Sequence, residues 1–400
     1  MIRRLWPLVA AAIALGVDAY VLAGVLPEIA DSLATTVAAV GLGVTAFTAA
    51  YALAGPLLSG TLIRGSTAGA LLIALGVFNL GNLVTAVAPG IEVFLASRVI
   101  TGAGAGVLTA VATAAAAAMA ADHERGRAMA MVTFGLSTGT VAGVPVGMVI
   151  GHQLNWRWTM GLVVAVGLLG MGALAARART IPALPASRGP AFTVLRSSRT
   201  LSGVTAAFLL GVASLGLYTY LLPMAEARGL EGWGFALVWA WGVGGVAGSA
   251  LIGRPLDAYG PRALLLVLPA GLLASFAALW IFTSPAVWLV AAACWGAVGW
   301  ASVPTLQQAL TGDRPEQAMP VVAFQMAAMY LGSAAGAAAG SALLAGHVDP
   351  GDLPVWALVP AAVALLLTGR LAIAGPRPRA RRGVTPLVCR EAGGGGLSGG

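Results

Sequence analysis

Twelve long apolar segments, one after another, leave this chain very few folds to choose from. They fall near 6–27, 38–62, 68–88, 92–120, 128–151, 157–176, 201–224, 233–253, 263–283, 286–310, 320–346 and 353–374. About 20 apolar residues in a helix cross the hydrocarbon of a bilayer. A helix is also one of only two structures that satisfy every backbone polar group there. Charged residues make up 9% of the chain and hydrophobic residues 59%, whereas about 25% of a soluble domain is charged. The pattern predicts an all-α membrane protein with twelve transmembrane helices.

The spans repeat. Gly139, Gly143 and Gly147 recur 193 positions later as Gly332, Gly336 and Gly340, and the same shift carries Gly55 onto Gly248 and Gly60 onto Gly253. Two segments repeating in one register imply a duplicated six-span unit, hence two pseudo-symmetric six-helix bundles. Parallel repeats of this size characterise solute transporters, with the binding site near the bilayer midplane between the halves. Glycines four residues apart let helix backbones approach closely in lipid, so both ladders are expected at close helix contacts across which the halves move. The expected domains are an N-terminal bundle over 1–176, a cytoplasmic linker over 177–200, a C-terminal bundle over 201–374 and a disordered cytoplasmic tail over 375–400. Pro182, Pro185 and Pro190 among arginines mark the linker, and an Arg-, Pro- and Gly-rich composition marks the tail.

All 22 basic residues are Arg. With both termini cytoplasmic, nineteen of them lie in inner segments and only Arg157 and Arg228 in outer loops, the asymmetry expected of a multi-pass protein of the cell membrane. The net charge of +8 therefore reflects topology and attraction to membrane lipid. Nucleic-acid binding is not expected, because no soluble domain is present to carry it. Cys294 and Cys389 make neither a disulfide framework nor a metal site. His123-Glu124 lacks the second His of a zinc peptidase, and Gly102-x-Gly104-x-Gly106 lies inside an apolar helix with no preceding strand. No Walker loop or nucleophile elbow occurs. Neither enzymatic activity nor a metal or cofactor is expected, and an ion gradient has to supply the work.

Two ionisable residues stand out at membrane depth: Asp18 in the first span and Arg98 in the fourth. Each costs about 2.5 to 3.5 kcal/mol at a helix centre, so residues of this kind face protein or water and are retained for a task. At 1.5 Å per residue Asp18 lies roughly 13 Å, and Arg98 roughly 9 Å, from the outer ends of antiparallel spans. They are close enough to meet. Burial disfavours an ionised carboxylate and a neighbouring Arg favours it, so a pair whose separation changes between two conformations can take up and release a proton. A static ion pair that orients two helices fits the same pattern, as does an Asp18 that faces a wet cavity with no coupling role.

Three stretches resemble the major facilitator superfamily, and within it the twelve-span drug:proton antiporters related to chloramphenicol-resistance and sugar-efflux proteins. Gly16-x-Asp18-x-Tyr20-x-x-x-Gly24-x-Leu26-Pro27-x-Ile29-Ala30 is similar to that group's first-span motif, with the acidic residue at Asp18. Arg98-x-x-x-Gly102-x-Gly104 resembles the fourth-span motif, whose Arg is implicated in proton coupling. Gly135-x-x-x-Gly139-x-x-x-Gly143-x-Pro145-x-Gly147-x-x-x-Gly151 resembles the fifth-span motif of exporters, and its Gly and Pro also shape a helix bend. The family's loop signature between the second and third spans is degenerate at Gly60-Thr-Leu-Ile-Arg64-Gly65, which has no Asp. Its counterpart between the eighth and ninth spans is better preserved as Gly253-x-x-x-Asp257-x-x-Gly260-x-Arg262. The resemblance thus implies a cytoplasmic latch carried mainly by Asp257 and Arg262, although both also suit ordinary solvated turn positions.

The second half has no charged pair, because the repeat offset places apolar residues opposite Asp18 and Arg98. It offers aromatic residues instead. Tyr218, Tyr220, Trp239, Trp241, Trp295 and Trp300, with Tyr20 of the first span and Gln325 of the eleventh, are candidates for lining a cavity that takes an apolar or cationic solute. Aromatic residues in spans also pack in cores or face lipid. The resemblance implies a monomeric transporter that exports a small, mostly apolar compound in exchange for protons. An importer or facilitator of sugars or metabolites shares the fold, and a nontransporting membrane receptor is a third reading.

Overall fold

The computed structural model describes residues 2–22, 25–184 and 191–374. The first half holds α1 (Ile2–Val21), α2 (Leu26–Ser32), α3 (Val37–Leu62), α4 (Thr67–Ala86), α5 (Ile91–Met119), α6 (Arg125–Gln153) and α7 (Trp156–Arg177). The second half begins with α8 (Ser198–Leu210), which runs on through a π-helical turn (Gly211–Gly216) to α9 (Leu221–Ala227). It continues with α10 (Gly234–Leu251), α11 (Gly253–Tyr259), α12 (Pro261–Ile281), α13 (Pro285–Thr311), α14 (Ala318–Ala345) and α15 (Leu353–Ala374). With α8–α9 and α10–α11 each forming one crossing and α2 a short extension of α1, the chain has twelve spans. Ten segments among the described residues are apolar and long enough to cross a bilayer. The two others are α1 and α6, whose 20 and 29 residues reach at least about 30 Å. The tail over 375–400, expected to be disordered, lies outside the described residues.

Short polar signals set where spans begin. Thr36 and Ser66 accept hydrogen bonds from the amides of Ala39 and Gly69 at 3.1 and 2.9 Å, capping α3 and α4. Pro261 and Pro285 open α12 and α13, where a missing N–H costs nothing. The first span, expected to continue to residue 27, ends as α1 at Val21, and Pro27 sits in the first turn of α2. Leu169, Phe235 and Ile373 leave more than three quarters of their surface uncovered, which is natural where the surrounding solvent is hydrocarbon.

The two glycine ladders pack within the bundles. A Cβ on Gly139 would stand 2.2 Å from the Ile13 carbonyl oxygen, and one on Gly143 would run into Val17, so α6 lies directly on α1. A Cβ on Gly332 would stand 2.0 Å from the Phe208 carbonyl oxygen, and Gly336 abuts Val212 and Gly216, so α14 lies directly on α8 and its π turn. The expectation that the halves slide across these ladders is corrected: each ladder fastens two helices of the same bundle. Gly147 and Gly340 continue the ladders against Val21 and Tyr220, while the Pro145 side chain lies outside the described residues.

Contacts between bundles involve other surfaces. Gly60 of α3 faces Met319, and Gly253 of α11 faces Arg127. The repeat offset carries position 127 to 320 (127 + 193), next to Met319, so these contacts are related by the pseudo-symmetry. Burial along α14 then divides the molecule. From Ala318 to Met329 every residue but Phe324 is buried, whereas from Leu331 to Ala345 only Gly332, Gly336 and Gly340 are. The face of α14 that α3 and α5 cover in the first stretch is uncovered in the second. The bundles are therefore shut together at the end that carries residues 125–127 and 253–257, and apart at the other.

Candidate functional site

The first site lies inside the N-terminal bundle, and glycines make room for it. On α5, a Cβ on Gly102 would stand 2.2 Å from the Phe47 carbonyl oxygen and one on Gly106 2.3 Å from that of Tyr51. A Cβ on Gly104 would stand 2.6 Å from the Ala74 carbonyl oxygen. These approaches draw α5 against both α3 and α4 and carry Arg98, one turn earlier, into the bundle centre. There Arg98 Nη1 and Nη2 donate to Asp18 Oδ1 and Oδ2 at 3.1 and 3.2 Å, a bidentate pair. Nη1 also donates to Asn82 Oδ1 at 3.2 Å, and the Phe47 ring lies 4.7 Å from the guanidinium carbon.

The structure brings Asp18 and Arg98 together and hides both. Asp18 is 0% and Arg98 2% exposed, so neither oxygen of the carboxylate meets solvent in this conformation. Removing one partner from such a pair leaves an uncompensated buried charge and costs about 3–5 kcal/mol. Arg98 Nε and Asn82 Nδ2 remain without hydrogen-bond partners. The pair is stable as a neutral unit and poorly stable as a lone ion. Asn82 and Phe47 were not read from the sequence: two Asn in one apolar span, Asn79 and Asn82, were the available signal for the first, and nothing distinguished Phe47 from a lipid-facing ring.

The second site is a small, partly open cavity in the C-terminal bundle. Trp241, Trp300, Leu306, Gln325 and Met329 line it together with Ser214 of the π turn. Of the sequence candidates, Trp241, Trp300 and Gln325 reach the wall. Tyr218 stacks on Trp241 at 4.0 Å and Trp295 donates its Nε1 hydrogen to Ser214 Oγ at 2.8 Å. Both support the wall from behind. Trp239 is 36% exposed beside Phe235 on the outer surface, and the Tyr220 hydroxyl donates to the Ala337 carbonyl while its ring covers Gly340. Neither lines the cavity. The Tyr20 side chain lies outside the described residues.

Aromatic rings link the ion pair to α14 of the other bundle. Phe47, against Arg98, lies 6.2 Å from the Tyr51 ring, which meets Tyr330 of α14 edge-on at 4.7 Å. Tyr330 follows Gln325 by five residues on the same helix. At the shut end, the Arg127 amide at the start of α6 donates to Asp257 Oδ1 at 3.1 Å, and Arg127 Nε lies 3.5 Å from Oδ2. A carboxylate from one bundle thus caps a helix N-terminus of the other. Ser137 and Ser249 add a buried hydrogen bond of 2.7 Å between α6 and α10. Arg262 stands in the first turn of α12, after Gly260 with its φ of +73°.

Two helical repeats around a buried ion pair and a separate apolar cavity, shut at one end and parted at the other, define a membrane solute transporter. Residues 8–337 match the Major Facilitator Superfamily, and the chain belongs to that family. It is 27% identical over 381 residues to the inner membrane transport protein YdhP of Escherichia coli, covering 90% of this chain and 95% of that one. It is 30% identical over 371 residues to a chloramphenicol resistance protein of Streptomyces lividans, covering 91% and 94%. Its fold is similar to that of the human organic anion transporter MFSD10, with a TM-score of 0.74 at 17% identity over 92% of this chain and 99% of that one.

Proposed function

We propose that this transporter exports a small, mostly apolar compound out of the cell in exchange for protons, and that Asp18 carries the proton. The observation that carries the reading is the bidentate Asp18–Arg98 pair, fully buried in one bundle while the apolar cavity lies in the other. A proton arriving at Asp18 cancels its charge and leaves Arg98 to Asn82 and the Phe47 ring, an arrangement a few kcal/mol less favourable while dry. Relief comes from helix movement that admits water or a new partner. Titration and conformational change are thereby coupled.

With the arginine-rich segments on the cytoplasmic side, the shut end is cytoplasmic and the conformation faces outward. Protons then enter from the parted side. The likeness to a chloramphenicol resistance protein favours export over import. The test is uptake into inverted vesicles, whose outer face is the cytoplasmic one, with Asp18→Asn, which keeps size and one acceptor for Arg98 but cannot titrate. Expected is loss of gradient-driven chloramphenicol movement with normal membrane insertion and retained exchange of compound between the two faces. Gradient-driven movement equal to wild type removes Asp18 from the mechanism.

A further inference from the structure

The cavity of the C-terminal bundle contains a polar group with nothing to bind. Gln325 is 0% exposed, lines the cavity, and leaves both Oε1 and Nε2 without hydrogen-bond partners. An unmet buried polar group is a standing cost to the empty cavity, which a ligand offering one donor and one acceptor removes. The hydroxyls nearby are already engaged: Ser302 donates to the Val298 carbonyl at 2.7 Å and Ser214 accepts from Trp295. The indole N–H groups of Trp241 and Trp300 on the same wall are likewise without acceptors, the other lining residues such as Leu306 and Met329 are mostly apolar, and no Asp, Glu, Arg or His is among the described lining residues. An organic cation entering here loses its hydration and meets no counter-charge.

We infer that Gln325 is the specificity residue of the substrate site, selecting uncharged, largely apolar compounds that carry an amide or hydroxyl and rejecting organic cations. The inference deepens the exporter reading by naming its substrate class, but binding needs neither a gradient nor Asp18, so the two fail separately. The measurement is quenching of intrinsic tryptophan fluorescence of the purified full-length protein, with chloramphenicol as the neutral amide and tetraphenylphosphonium as the cation. Expected is chloramphenicol binding at least about ten-fold tighter than the cation. Gln325→Leu then loses about ten-fold in chloramphenicol affinity, with gel filtration unchanged. Gln325→Glu gains affinity for tetraphenylphosphonium, a change misfolding cannot produce. Equal affinity for the two probes in wild type, absence of saturable chloramphenicol binding, or an unchanged affinity in a folded Gln325→Leu protein overturns the inference.

Discussion

Asp18 and Arg98 are held in the bundle as one buried, bidentate pair of opposite charges. Removing either charge strands the other in a place that is 0–2% exposed. Arg98→Gln and Asp18→Asn should each lower the melting temperature of the purified transporter, and the double variant should melt higher than at least one of them, because no lone charge remains. Gradient-driven efflux should stay absent in all three, which separates the structural role of the pair from its coupling role. Full efflux in the double variant would show that the pair only orients α1 and α5. Both residues were legible in the sequence because an ionised group in hydrocarbon is expensive enough to need a reason. Asn82 and Phe47, which complete the shell, carry no such cost and were not.

Helices in this molecule are placed by what glycine omits. Gly139 and Gly332 leave no room for a methyl group beside the Ile13 and Phe208 carbonyls, so Gly139→Ala and Gly332→Ala should each destabilise their bundle by about 1–3 kcal/mol. Gly76→Ala, in α4 with nothing within 4 Å of the new carbon, should be neutral or slightly stabilising, as judged by thermal unfolding in detergent. The spacing of the ladders was visible in the sequence, but their partners were not. Any small-residue stripe can serve a helix of its own bundle or of the other, and the periodicity is the same for both. On α14 the glycine face, which also carries Gln325 two turns before Gly332, packs on α8 and its π turn, while the opposite side carries Tyr330 toward Tyr51. Tyr330→Ala should therefore weaken coupling, with chloramphenicol binding retained and proton movement per compound reduced, read as pH change inside proteoliposomes.

Across the whole molecule, the two pseudo-symmetric contacts at the shut end differ: among the described residues one holds an ion pair and the other does not. Gly253 and Asp257 meet Arg127, whereas Gly60 meets Met319, as the missing Asp between the second and third spans foreshadowed. Losing the cap from Asp257 costs about 0.5–2 kcal/mol, roughly a two- to thirty-fold shift in population. Asp257→Ala should raise the reaction of a cysteine placed at Ala130, 2% exposed inside the shut end, with an impermeant maleimide, and an unchanged rate would show that the latch holds nothing. Ser137→Cys with Ser249→Cys, whose hydroxyls are 2.7 Å apart, should cross-link under oxidation and stop transport until reduced. The sequence alone determined the number of spans, their duplication and the pair of buried charges. These answer to the bilayer, which imposes its length and its cost on every helix separately. Only the tertiary structure decided which end is shut, which aromatic rings surround the cavity and which helices the glycines join. In hydrocarbon, lipid and protein core are equally apolar, so a span's composition cannot tell a residue that faces one from a residue that faces the other.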